Sequence, residues 1–182
     1  DWPEHKESIL AGHRPRNTVD RREKFRYFVE EVLHESGNVG KIDELTKRFS
    51  VLTRQAIIDC PWVSGATDFL DYFKERLPLF LVSATPQEEL NKILDHRRIA
   101  DYFQQSYGAP LDKSEVLSVI MKDQEASPVE TLYIGDSPED QQAAQNQSIH
   151  FIGMDSGRGL KAKNLCSDFH KILQRVNSCY EC

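Results

Sequence analysis

The chain has 182 residues and a formal charge of -6, long enough for one good-sized core, or for a core domain carrying a small insertion. An acidic balance without a long basic run argues against a nucleic-acid surface, and no stretch approaches a membrane span. The polar start, residues 1–10, lacks the apolar segment of a signal peptide, so a cytoplasmic protein is expected.

The first third reads as helix. In "TVDRREKFRYFVEEVLHESG", Thr18 or Asp20 is the expected N-cap, Phe25, Phe28, Val29, Val32 and Leu33 share one face, and Gly37 is the expected stop. A second helix, "KIDELTKRFSVLTRQAIIDC", ends before Pro61. Residues 1–62 are therefore expected to form a small helical domain, with 63–182 as a second domain. Pro61, Ser64 and Gly65 break the periodicity, and a helix then restarts through Phe69, Leu70 and Phe73 and ends near Pro78.

Strands and helices alternate from there. "LFLVSA" is a strand, "PQEELNKILDHRRI" a helix, "YFQQSYG" a weaker strand and "KSEVLSVIMKD" a helix; "TLYIGD", "PEDQQAAQNQ", "HFIGMD" and "SDFHKILQRV" continue the alternation. Short links between such elements predict an α/β fold, a doubly wound parallel sheet with helices on both faces.

Ligands of open α/β sheets collect at the carboxyl ends of strands. Ser83, with Thr85 close behind, stands at such an end, either as a phosphate-oxygen site beside helix N–H groups or as a helix cap. Lys113 opens a helix, where the macrodipole disfavours a cation; it is either solvated or reaching for an anion. Asp136 ends a strand and Asp140 lies in the first turn of the following helix. Two acids so placed suit Mg2+, which takes one or two carboxylates with waters and a phosphate oxygen. Capping by Asp136 and a dipole-favoured Asp140 would explain each acid separately, but not the order of serine, lysine and paired acids on successive strand ends.

"LVSATP", the lysine of "GAPLDKSEVL" and "YIGDSPEDQQAA" resemble the second, third and fourth motifs of the haloacid dehalogenase-like (HAD) hydrolase superfamily, in its phosphoglycolate-phosphatase-like branch. "PWVSGATDFLDYF" resembles the passage from the helical cap into the core, and the resemblance spans roughly residues 18–176. It implies a Rossmann-like core with a cap at 1–62, Mg2+ as cofactor and a small phosphorylated metabolite as partner. It further implies that Ser83 hydrogen-bonds the transferring phosphoryl group, Lys113 neutralises it, and Asp136 holds the metal with Asp140 close behind. The family's first motif, a strand ending in D-x-D that supplies the nucleophile and the general acid and base, has no counterpart in this sequence. In the resembled fold that strand is central, between the strands that end at Ser83 and Asp136.

Two readings follow. The chain is an N-terminally truncated phosphatase, inactive as given, or a non-catalytic relative that binds a phosphorylated ligand or a protein partner. The sequence beginning at Asp1 rather than Met favours the first. Arg22, Lys24 and Arg26 in "RREKFRYF" either contact an anionic leaving group or form the solvated face of an amphipathic helix. Cys179 and Cys182 have a spacing that suits zinc or a disulfide, but no second pair accompanies them, and ordinary reduced thiols are expected. Oligomeric state is not legible.

Overall fold

The computed structural model describes residues 2–13, 20–157 and 159–180, with the side chains of Trp2, Cys179 and Tyr180 excepted. The chain forms two compact units, Asp1–Asp59 and Cys60–Cys182.

The first unit is helical. Helix α1 (Trp2–His13) precedes α2 (Arg21–Tyr27), which passes into a π-helical turn, Phe28–Val32; α3 (Val39–Asp59) follows. Asp20 caps α2, its carboxylate accepting from the N–H groups of Arg22 and Glu23. Thr18, the other expected cap, lies outside the described residues. The helical run ends at Val32, short of Gly37, which instead takes a left-handed conformation in the turn before α3. Phe25, Phe28, Val29 and Ile42 are buried together, with Phe25 packed edge-on to both Phe28 and Phe49. Helix α1 was not expected. Its apolar residues make no periodic stripe, so the amphipathic signal that reveals a surface helix is missing.

The second unit alternates strand and helix as expected. It comprises α4 (Ala66–Phe73), β1 (Phe80–Pro86), α5 (Gln87–Arg97), β2 (Gln105–Ala109), α6 (Lys113–Asp123), β3 (Leu132–Gly135), α7 (Pro138–Asn146), β4 (His150–Met154), β5 (Leu165–Cys166) and α8 (Phe169–Tyr180). All pairings are parallel. β1 pairs with β2 in one sheet, and β3, β4 and β5 form another in that order. Helix α4 stops earlier than Pro78, and the two-residue β5 was too short to leave a pattern in the sequence.

Side chains of the three-stranded sheet alternate between two cores, as period-2 geometry requires. Leu132, Ile134, Ile152 and Met154 face α4 and α8, against Phe69, Phe73, Ile172 and Val176. Tyr133 and Phe151 face α6 and α7, against Leu117, Met121, Ala143 and Ala144. Helices thus cover both faces, the α/β arrangement read from the sequence. In the two-stranded sheet, Gly108 at the end of β2 donates its N–H to the Gln87 side chain, 2.5 Å away. A Cβ at Gly108 would lie 2.6 Å from the Gln87 Cα, so only glycine lets β2 close onto the start of α5.

Among the described residues, no strand pairs with the second edge of β1 or with the second edge of β3. The parallel sheet is therefore divided at the place where the resembled fold has its first strand.

Ile172 is 0 % exposed between α4 and the sheet, so Ile172→Ala should destabilise the fold by roughly 3 kcal/mol in urea unfolding. Val129, 74 % exposed, serves as the control; Val129→Ala should leave the midpoint nearly unmoved.

Candidate active site

β3 ends at Gly135, and Asp136 and Ser137 carry the chain into α7. Ser137 is the N-cap of α7, and Pro138 occupies its first turn, where a missing N–H costs nothing. The Ser137 Oγ accepts from the Asp140 N–H at 3.2 Å, and Asp140 Oδ2 accepts from the Ser137 N–H at 3.1 Å, a reciprocal capping box. The capping of α7 thus falls to Ser137, and Asp136 is not the N-cap.

Asp140 is a buried carboxylate. Its Oδ1 accepts from the Lys113 ammonium at 2.5 Å and from the Tyr133 hydroxyl at 2.8 Å. Its Oδ2 accepts from the backbone N–H of Asp136 at 3.2 Å and from the N–H and hydroxyl of Ser137, the latter at 2.8 Å. Burial opposes the charge on Asp140. The Lys113 ammonium, followed by the Tyr133 and Ser137 donors, outweighs burial and holds the carboxyl below its ordinary range. Burial, then the charges of Asp140 and Asp136 together with the hydrogen bond to Asp140, pushes the Tyr133 phenol far up, so it remains a donor.

Of the two readings of Lys113, the structure bears out the one that reaches an anion, and that anion is the Asp140 carboxylate. Asp112 caps α6 by accepting from the Glu115 N–H, and Lys113 in the first turn crosses to α7. The pair is largely shielded, at 22 % and 7 % side-chain exposure, which removes much of the screening that weakens surface ion pairs. Gly135 makes room for it. A Cβ there would stand 2.4 Å from the Asp140 Cβ, so a side chain at 135 would push the carboxylate out of place.

Ser83 lies within β1, which runs on through Thr85 to Pro86. Pro86 occupies the N-cap position of α5 with no side-chain hydrogen bond, so neither Ser83 nor Thr85 caps that helix. The Ser83 Oγ accepts from the Thr85 N–H at 3.1 Å, which fixes the turn at the strand end and leaves the hydroxyl hydrogen to be donated. Arg22 and Lys24 belong to the helical unit. There Arg22 pairs with Asp43 at 2.9 Å across α2 and α3, and Lys24 lines a groove. Cys182 lies outside the described residues, as does the Cys179 side chain.

Among the described residues, no group of three or more His, Cys, Asp or Glu gathers as a ready metal site. Mg2+ takes one or two carboxylates together with waters and phosphate oxygens. Asp136, half-buried at the strand end, fits that demand as one carboxylate. Asp140, with both oxygens held by protein donors, fits as the residue that positions Lys113 and the Asp136 loop. Sequence reasoning overlooked Tyr133 and Ser137. The S-x-x-D pattern from Ser137 to Asp140 is a capping-box signature and could have revealed the second.

The family model for haloacid dehalogenase-like hydrolases matches residues 16–154, most of the chain, including all of these positions. This chain belongs to the haloacid dehalogenase-like hydrolase family. A HAD-superfamily hydrolase of subfamily IA from Geobacter sulfurreducens superposes with a TM-score of 0.67 at 19 % identity, covering 90 % of this chain and 76 % of that one. A "predicted phosphoglycolate phosphatase" from Haemophilus somnus gives 0.73 at 16 %, covering 85 % and 75 %. The HAD-family protein YfnB from Bacillus subtilis, whose structure was determined with bound magnesium, gives 0.74 at 15 %, covering 96 % and 81 %. At such identities the likeness shows the HAD fold. No curated protein matches in sequence.

Asp140→Ala should destabilise the chain by about 3–5 kcal/mol, because it leaves the shielded Lys113 charge without its partner. Because its folded pKa is depressed, Asp140 contributes stability that is complete above the ordinary aspartate value of about 3.9 and is lost as pH falls through the lower folded value. Asp140→Asn should therefore flatten part of the acid-side decline when urea midpoints are measured from pH 6 down to pH 3.

Proposed function

We propose that this chain carries the phosphate-binding and magnesium-binding part of a HAD phosphatase site, acting on a small phosphorylated metabolite. The observation that carries this reading is the Lys113–Asp140 pair, which joins the starts of α6 and α7 beside the acid that ends β3. Phosphoryl transfer depends mainly on positioning and on charge stabilisation, and an oriented ammonium next to a strand-end carboxylate supplies both.

Each residue has a role in this reading. Lys113 has three N–H donors; Asp140 takes one and fixes its direction, and the others serve the phosphoryl oxygens. Ser83, oriented by the Thr85 N–H, donates its hydroxyl hydrogen to another phosphoryl oxygen. Asp136 holds Mg2+, which when bound would offset the negative charge of the phosphate ester. Asp140 contacts no substrate; it is a positioning residue. The helical unit serves as the cap.

No residue of this sequence matches the nucleophile or the general acid and base of the family. Both would be delivered on a strand ending in D-x-D that pairs with the unpaired edges of β1 and β3. The 182-residue chain by itself should then show no Mg2+-dependent turnover of p-nitrophenyl phosphate. The same chain preceded by an apolar strand ending in D-x-D should gain it. That gained activity should vanish in Asp136→Ala and fall by about 100-fold or more in Lys113→Ala. Clear turnover by the 182-residue chain, abolished by Asp136→Ala, would sink the missing-nucleophile argument. An extended chain that binds phosphate but never turns over would make this a binding protein instead.

A further inference from the structure

The helical unit holds a concave groove of about 490 Å³ between α1, α2 and α3, a size typical of small-molecule sites. Phe25, Phe28 and Phe49 form its floor, and Leu10 and Leu52 its walls. Leu52 is 61 % exposed, an apolar side chain facing water beside an aromatic floor. His13, Lys24 and Arg48 bring basic groups to the lining, and no Asp or Glu lies among the lining residues. Among the described residues, neither the Lys24 ammonium nor the Arg48 guanidinium has a hydrogen-bonded acid, in contrast to Arg22, which Asp43 neutralises nearby. Burial disfavours charge at two of these groups, with Arg21 adding to it at Lys24 and Lys24 adding to it at His13. An anion entering the groove would relieve that repulsion.

An apolar aromatic floor with a basic rim and no acid is complementary to one kind of molecule. We propose that this groove binds a small amphiphilic acid, an alkyl or aryl chain ending in a single anionic group, with the chain on Phe25, Phe28 and Phe49 and the anion among His13, Lys24 and Arg48. An acidic helix of a protein partner would need a longer face than this pocket offers, so a small molecule is favoured. The assignment stands on the helical unit alone and is independent of the phosphatase reading.

The test uses the 182-residue chain with decanoate as probe. Isothermal titration should give saturable one-to-one binding, and 1-decanol and decyltrimethylammonium should bind at least about fivefold more weakly, the scale of one partly screened charge pair. Methyl-labelled NMR should show shifts at Ile9, Leu10, Leu45 and Leu52. Arg48→Gln, an exposed change that spares the core, should weaken decanoate about fivefold while leaving decanol binding unchanged. If Lys24→Gln proves unstable, Arg48→Gln still decides the charge requirement. Equal binding of the three decyl probes, shifts confined to other methyls, or closure of the groove by a second copy, seen as a dimer in sedimentation that Leu52→Asp disperses, would each overturn the proposal. Arg48-dependent binding to anionic phosphatidylglycerol vesicles without saturable binding of decanoate would likewise overturn the assignment of a free acid.

Discussion

A buried carboxylate must be fully satisfied or it unfolds its surroundings, and Asp140 imposes that condition on the second unit. Taking an ion out of water costs several kcal/mol even after relaxation. Here the cost is offset by donors from three places at once: the ammonium of Lys113 from α6, the hydroxyl of Tyr133 from β3, and the N–H groups and hydroxyl of the Asp136–Ser137 turn. The start of α6, the end of β3 and the start of α7 therefore cannot move independently. Gly135 follows as a requirement, because the carboxylate packs where a Cβ would be. So does the placement of Tyr133 on the α6 and α7 side of the sheet, which the one-residue alternation of β3 against its two cores allows.

Much of this unit was legible in the sequence, for identifiable reasons. The bounds of α6 and the start of α7 agree with the sequence reading, where "KSEVLSVIMKD" stands as a helical run and Pro138 suits the first turn of a helix. The strands β3 and β4 were legible as short apolar runs between such helices. What escaped were elements without a pattern: α1, whose apolar residues form no stripe; the π-helical turn at Phe28–Val32; and β5, a two-residue edge. The site was half legible. Strand-end order marked Ser83, Lys113, Asp136 and Asp140 as one group, but spacing alone made the two acids look equivalent. Only the hydrogen bonds separate an acid held entirely by the protein from one at the strand end.

The same separation explains how the Lys113 ammonium is held in place without any carboxylate from a D-x-D strand. Lys113 is held by a neighbouring helix through one oxygen of Asp140, whose other oxygen closes that helix's own capping box. The site's geometry therefore depends on local helix chemistry rather than on the missing strand.

The divided sheet sets the remaining constraint. Each of β1 and β3 has one edge of backbone N–H and C=O groups that no described strand pairs, and each parallel bond not made forgoes about 1 kcal/mol net. Against a total stability of typically about 5–15 kcal/mol, several such bonds are decisive. Open edges are also templates for any extended strand that can reach them. A strand ending in D-x-D would thus bind where its backbone bonds stabilise most, and would present its carboxylates near the lysine and the acid already set by Asp140. Under the proposed function, the same segment would complete both folding and catalysis, because the bonds that close the sheet would be the bonds that bring in the nucleophile.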